Sequence, residues 1–239
     1  MSAGEASGFL VIGHRGARGH APENTLLSID TGIKLGAHWV ELDVQQLGSE
    51  LLLMHDLRLD RTTNGRGPLA EYTFEELRRL DAGQGQQIPT LQEALDLVDQ
   101  RVGVNIELKT WGGCASAVAR VLRDYLADGW PAERLQVSSF HLPELWEFRQ
   151  LLPEVPVGAL VCGVPLDWAG AAAELGAASL NISDEFVDDK LVTDAHARGL
   201  KVYAYTVNHP DDVRSLRAQG VDGIFTDFPD RALEAVGRL

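Results

Sequence analysis

The chain has 239 residues, 45% of them hydrophobic and 23% charged, which suits one large folded domain and excludes a disordered or fibrous protein. Its formal charge of −14 repels polyanions, so neither nucleic acid nor stable membrane association is expected, and any phosphorylated ligand needs a local cationic site. No run approaches the roughly 20 apolar residues of a membrane span. The opening "MSAGEASG" has neither the basic nor the apolar part of a signal peptide, and Cys114 and Cys162 stand apart from any metal or redox motif; a cytoplasmic protein with two reduced thiols is expected.

In chain order, strand-like runs fall at 9–13 ("FLVIG"), 39–45 ("WVELDVQ"), 102–109 ("VGVNIELK"), 135–140 ("LQVSSF"), 155–161 ("VPVGALV"), 178–183 ("ASLNIS"), 201–207 ("KVYAYTV") and 222–228 ("DGIFTDF"). Nearly every one is followed by an amphipathic helical stretch, such as 25–37, 115–129 or 209–220. Gly36, Gly129, Gly176, Gly199 and Gly220 stand where a left-handed helix end is expected before the next strand. Eight βα units in this length indicate a TIM (β/α)8 barrel forming one catalytic domain over 1–239. After the second strand comes another strand-like run, "LLLMHD", and then a stretch at 57–88 rich in Arg, Thr, Asn and Gly. It reads as a small insertion ahead of the helix "TLQEALDLVDQ".

Side chains at the C-terminal strand ends of such a barrel form its active face. His14 and Arg15 close the first strand, Glu41 and Asp43 sit two apart in the second, His55 and Asp56 end the run after it, and Glu107 and Lys109 sit two apart in the third. Spacing of two puts each pair on one face, so Glu41 and Asp43 point into the barrel while Val40, Leu42 and Val44 face the helices. Three carboxylates converging at one mouth repel unless a proton or a cation is shared. All-oxygen donors favour a divalent metal, Mg²⁺ or Ca²⁺, over zinc. Taken singly, each of these residues also fits a surface ion pair, a turn or a structural histidine; together, His14 and His55 flanking a metal look like an acid/base pair.

The ordered set "HRGARGHAPENT" (14–25), "ELDVQ" (41–45), "HD" (55–56), "RTTNGRG" (61–67), "IPTLQEAL" (88–95), "IELK" (106–109), "YAYTVN" (203–208) and "GVDGIFTDFPD" (220–230) resembles the glycerophosphodiester phosphodiesterase family over almost the whole chain. The resemblance implies a metal-dependent enzyme that hydrolyses small glycerophosphodiesters to sn-glycerol 3-phosphate and an alcohol. It places a divalent metal on Glu41, Asp43 and Glu107, catalysis on His14 and His55, and phosphate on Arg15 and Lys109. Glu23 and Asn24 match residues at the edge of the site, with an N-cap of the first helix as the alternative for Asn24. Where the family often carries Trp before "TVN", this chain has Tyr205, which keeps an aromatic wall and adds a hydroxyl beside the substrate.

Three other readings compete. Phospholipase D-type or phosphoinositide-type cleavage of lysolipids needs an apolar track at the mouth, for which Trp111, Leu142, Pro165 and Trp168 are candidates. A catalytically silent phosphate-binding barrel is disfavoured by the intact histidines and carboxylates. A sugar-phosphate isomerase or aldolase would carry a phosphate cradle after strands seven and eight, where this chain has the acidic "VNHPDD" and "TDFPD".

Overall fold

The computed structural model describes residues 8–237, so the stretch read above as lacking a leader lies, apart from Gly8, outside them. Among the described residues nine strands follow in chain order: β1 (Leu10–Gly13), β2 (Trp39–Leu47), β3 (Glu50–Leu53), β4 (Gly103–Leu108), β5 (Leu135–Ser139), β6 (Val157–Val161), β7 (Ser179–Ser183), β8 (Lys201–Tyr205) and β9 (Gly223–Thr226). All but β3 are parallel neighbours in a ring closed by β1 pairing with both β2 and β9, which is the expected TIM barrel. The ninth strand, β3, turns back antiparallel on β2, with Val44 opposite Leu53.

Helices α1 (Leu26–Lys34), α2 (Phe74–Leu77), α3 (Leu91–Val98), α4 (Cys114–Ala127), α5 (Leu142–Leu151), α6 (Gly170–Leu175), α7 (Asp189–Ala197), α8 (Pro210–Ala218) and α9 (Pro229–Val236) cover the connections. The five glycines expected at helix ends all adopt positive φ. Thr25, not Asn24, caps α1, its hydroxyl accepting from the Ser28 amide at 3.1 Å. Asn24 lies one residue outside the cap at φ +56°, which turns its side chain toward the barrel and removes the capping alternative.

The strands separate two environments. Outward residues of β2 and β4 (Val40, Leu42, Val44, Val104, Ile106 and Leu108) join Ile29, Leu95 and Val118 of the helices in the main apolar core. Losing one such side chain, as in Ile106→Ala, costs about 2–5 kcal/mol. The inward face of β4, β5 and β7 is polar. Asn105 donates to Ser138 Oγ at 2.9 Å, and Gln136 donates to Ser179 Oγ, which donates on to Asn181 Oδ1. Barrels of this type usually fill their interior with branched apolar layers; here a hydrogen-bonded floor supports a charged mouth.

The insertion after β3 has its own apolar cluster, in which Leu59, Leu69, Leu77 and Ala82 pack on Leu52, Met54 and Ile88. Its short helix α2 carries a capping box between Thr73 and Glu76. The turn from β1 is built around glycine: a Cβ on Gly13 would stand 2.2 Å from the Gly16 carbonyl oxygen, so only hydrogen fits where the chain leaves the strand.

Candidate active site

The register between β2 and β4 sets the carboxylates side by side, Asp43 opposite Glu107 and Glu41 opposite Asn105. One oxygen each from Glu41, Asp43 and Glu107 lie within 4.8 Å of one another. Lys109 Nζ sits 2.7 Å from Glu107 Oε1 and 3.6 Å from Asp43, and Arg15 Nε sits 3.1 Å from Asp43 Oδ2. Asn24 clasps Asp43 twice, donating from Nδ2 to Oδ2 at 2.8 Å and accepting the Asp43 amide. Glu41 is less well served: Oε2 accepts the Arg15 amide at 2.9 Å, while Oε1 is buried with no protein partner.

Burial, with Asp43 and Glu107 adding to it, raises the Glu41 pKa well above the carboxylate range. Burial and Asp43 likewise raise Glu107. Burial works against the charge on Lys109, but Glu107 and Asp43 outweigh it and hold the ammonium pKa above its usual value. An orphaned buried oxygen beside two further carboxylates fits a hard divalent cation, which takes oxygen donors of this kind. The cluster and the two cations that fringe it are therefore suited to bind a metal and an anionic group together.

His14 and His55 both line the cavity of about 270 Å³ above this cluster, together with Arg15, Lys109, Phe140 and Tyr205. Each histidine is held at Nδ1 by a carboxylate, His14 by Asp227 at 2.7 Å and His55 by Asp56 at 2.6 Å. Nδ1–H bound to a carboxylate leaves Nε2 as the ring nitrogen turned away from it. Arg15 Nε donates to His14 Nε2 at 3.2 Å, so that nitrogen carries a lone pair. Burial lowers the His14 pKa, opposed by the bond to Asp227, and the net shift is downward, which favours the neutral ring.

Asp227 was not among the residues expected from the sequence, where "TDFPD" reads only as an acidic loop. The barrel closure brings it to His14, since Thr226 pairs with Gly13. Asn208 and Arg18 hold its other contacts, at 2.9 Å each. Arg61 belongs to the "RTTNGRG" motif, which by itself assigns it no role. It grips Asp56 and Glu23 with two hydrogen bonds each, all between 2.7 and 3.1 Å, and Glu23 in turn accepts from Arg15 at 2.6 Å. A continuous ion-pair chain therefore runs from His55 to Arg15 across the mouth. Glu23 works within that chain at the edge of the site. The Tyr205 ring lines the cavity, while its hydroxyl donates to the Val161 carbonyl at 2.8 Å and so is used by the rim.

Fold and site define a (β/α)8-barrel hydrolase with a carboxylate cluster and two carboxylate-supported histidines. The sequence profile of the Glycerophosphoryl diester phosphodiesterase family matches residues 14–231. The glycerophosphodiester phosphodiesterase of Caldanaerobacter subterraneus subsp. tengcongensis is 34% identical, covering 95% of this chain and 97% of its own. That of Bacillus altitudinis is 34% identical over 94% and 96%. A solved Oleispira antarctica phosphodiesterase in complex with the product sn-glycerol-3-phosphate superimposes with a TM-score of 0.88 at 36% identity, covering 95% of this chain and 96% of that one. The chain belongs to the glycerophosphoryl diester phosphodiesterase family.

Proposed function

We propose that this enzyme hydrolyses small glycerophosphodiesters to sn-glycerol 3-phosphate and an alcohol, in one catalytic domain whose insertion spans about 57–88. The observation that carries the reading is the meeting, in one cavity, of three carboxylates, two cations and two histidines each held at Nδ1 by a carboxylate. Glu41, Asp43 and Glu107 are the proposed ligands of a divalent cation, Mg²⁺ or Ca²⁺. When bound, that ion supplies Lewis-acid charge that stabilises a phosphoryl group as it gains negative character.

Arg15 and Lys109 receive the non-bridging oxygens of the diester, the guanidinium as a fork and the ammonium as a point charge. His14, with its lone pair on Nε2, is assigned the proton taken from the attacking water, or from the glycerol 2-hydroxyl, in which case water then opens the cyclic phosphate to give sn-glycerol 3-phosphate. His55 is assigned the proton delivered to the leaving oxygen. One P–O bond forms as the other breaks, and the proton lost on one side is matched by the proton gained on the other. Glu23 and Asn24 fix Arg15 and Asp43, and Tyr205 supplies an aromatic wall. The acidic net charge supports no nucleic-acid partner and no stable membrane association, and unpaired Cys114 and Cys162 fit a reducing cytoplasmic setting.

The test is to incubate the protein with glycerophosphocholine and glycerophosphoethanolamine, with Mg²⁺, Ca²⁺ or excess chelator, and to identify products by phosphorus NMR. Metal-dependent release of sn-glycerol 3-phosphate is expected. Full activity in chelator would sink the metal assignment, and no cleavage of either diester under any condition would sink the reaction.

A further inference from the structure

Four inward side chains of β2 and β4 form a two-by-two block beneath the cavity. Parallel register sets Asp43 opposite Glu107 and Glu41 opposite Asn105, and within each strand the pair lies two residues apart, so all four project from one face of the sheet. Three members of the block are the carboxylates described above. The fourth is an amide. Asn105 is 1% exposed, and it lines the catalytic cavity together with Glu41 and Glu107. Its two polar atoms are unequally served: Nδ2 donates to Ser138 Oγ at 2.9 Å, whereas Oδ1 is buried with no protein partner. Glu41 Oε1, on the register-paired residue, is in the same condition. Among the described residues one other buried side-chain atom lacks a partner, Asn181 Nδ2, and Asn181 is not part of the cavity wall.

A buried acceptor without a donor has given up water and gained nothing in return, which folded proteins rarely tolerate. Two such oxygens on paired residues of neighbouring strands, with two more carboxylates in the same block, are suited to share one positive partner. We propose that Asn105 Oδ1 is a fourth, neutral oxygen donor of the divalent-cation site, alongside Glu41, Asp43 and Glu107. This rests on the metal assignment made above and adds a residue to it. Amide carbonyl oxygens ligate hard cations such as Ca²⁺ together with carboxylates, so the donor type is appropriate. Its neutrality also matters. A fourth carboxylate would add charge to three that already crowd within 4.8 Å, with Arg15 and Lys109 as the cations in contact to offset them. By holding Nδ2, Ser138 on β5 sets which end of the amide is left for the cation.

The test is calorimetric titration of the full chain with Mg²⁺ and with Ca²⁺ in the absence of substrate, so that no outcome depends on turnover. Asn105→Ala is expected to bind the preferred cation about tenfold to a hundredfold more weakly than wild type. Where the smaller side chain leaves the barrel unfolded, the near-isosteric Asn105→Leu carries the same expectation. Asn105→Asp keeps an oxygen and removes the amide donor; it should bind within about threefold of wild type or more tightly. Ser138→Ala removes the partner of Nδ2 but leaves Oδ1 in place, so its affinity should stay within about threefold while its melting temperature falls. Unchanged affinity in the alanine or leucine variant would refute the fourth donor and leave the three-carboxylate site standing. Equal losses in Ser138→Ala and Asn105→Ala would assign the effect to packing of the floor and refute it too. A tenfold loss in Asn105→Asp would mean that the amide donates to Glu41 instead of accepting, which also overturns the proposal. Wild-type protein that binds neither cation would overturn the metal assignment itself.

Discussion

The two histidines reach the same cavity by different routes. His14 leaves the barrel wall itself and is held by Asp227, 213 residues away, through the closure of the sheet; its side chain is 14% exposed. His55 stands on the arm that carries the insertion, is held by the next residue, Asp56, and is 33% exposed. The first is fixed by the most constrained part of the fold. The second depends on a satellite cluster and on Arg61, which ties Asp56 back to Glu23 and so to Arg15. One proposed catalytic group is set by global topology and the other by a local arm with a polar strap.

The largest effect should come from the carboxylate cluster that both histidines overlook. Glu41→Gln or Asp43→Asn is expected to reduce turnover to background and to weaken Mg²⁺ or Ca²⁺ binding in calorimetry; unchanged metal affinity in both variants would remove these residues as ligands. His14→Ala and His55→Ala should each lower kcat by about 100-fold or more, the scale of a general acid or base, measured on glycerophosphocholine at saturating metal. Near-normal turnover in either would strike that histidine from the reaction.

The supporting carboxylates separate the two regions. Asp227→Ala is expected to cost about tenfold to a hundredfold in kcat. Asp56→Ala should cost less if the insertion arm has latitude to resettle, and equal losses would deny that the two sites differ in rigidity.

The smallest effect concerns the strap. Burial opposes ionisation of Glu23, but hydrogen bonds from Arg61 and charge from Arg15 bring its pKa down to about 2 from 4.5. A carboxylate depressed in the folded state contributes stability above its unfolded pKa and loses it as pH falls toward the folded value. Glu23→Gln should therefore be about 1–2 kcal/mol less stable than wild type at pH 7, limited by the solvent that reaches Arg61, with the gap closing between about pH 4.5 and 2. A gap that stays constant down to pH 2 would contradict the strap.

The barrel and the carboxylate cluster were legible because both rest on short-range regularities. Alternating strands put Glu41 and Asp43 on the face opposite Val40 and Leu42, and the spacing of Glu107 and Lys109 repeats the pattern one strand over. Asp227 was not legible as a partner of His14, because only ring closure joins residues so distant; the clue was that the last strand of a closed barrel must lie beside the first. Arg61 was visible as a motif residue, yet its grip on Glu23 depends on how the insertion folds back, which no local pattern encodes. The helix Phe74–Leu77 did leave a trace, since Thr73 and Glu76 have the spacing of a capping box. Asn24 showed the reverse: a common capping residue beside a helix start, whose neighbour Thr25 takes that role and frees it to hold Asp43.

His14 and His55 are proposed to serve one transition state from these two supports. A double-mutant cycle on glycerophosphocholine hydrolysis tests it directly, because residues acting as a unit are far from additive. The double variant His14→Ala/His55→Ala is predicted to lose no more than about tenfold beyond the worse single variant. Losses that multiply in full would contradict a shared proton-transfer step.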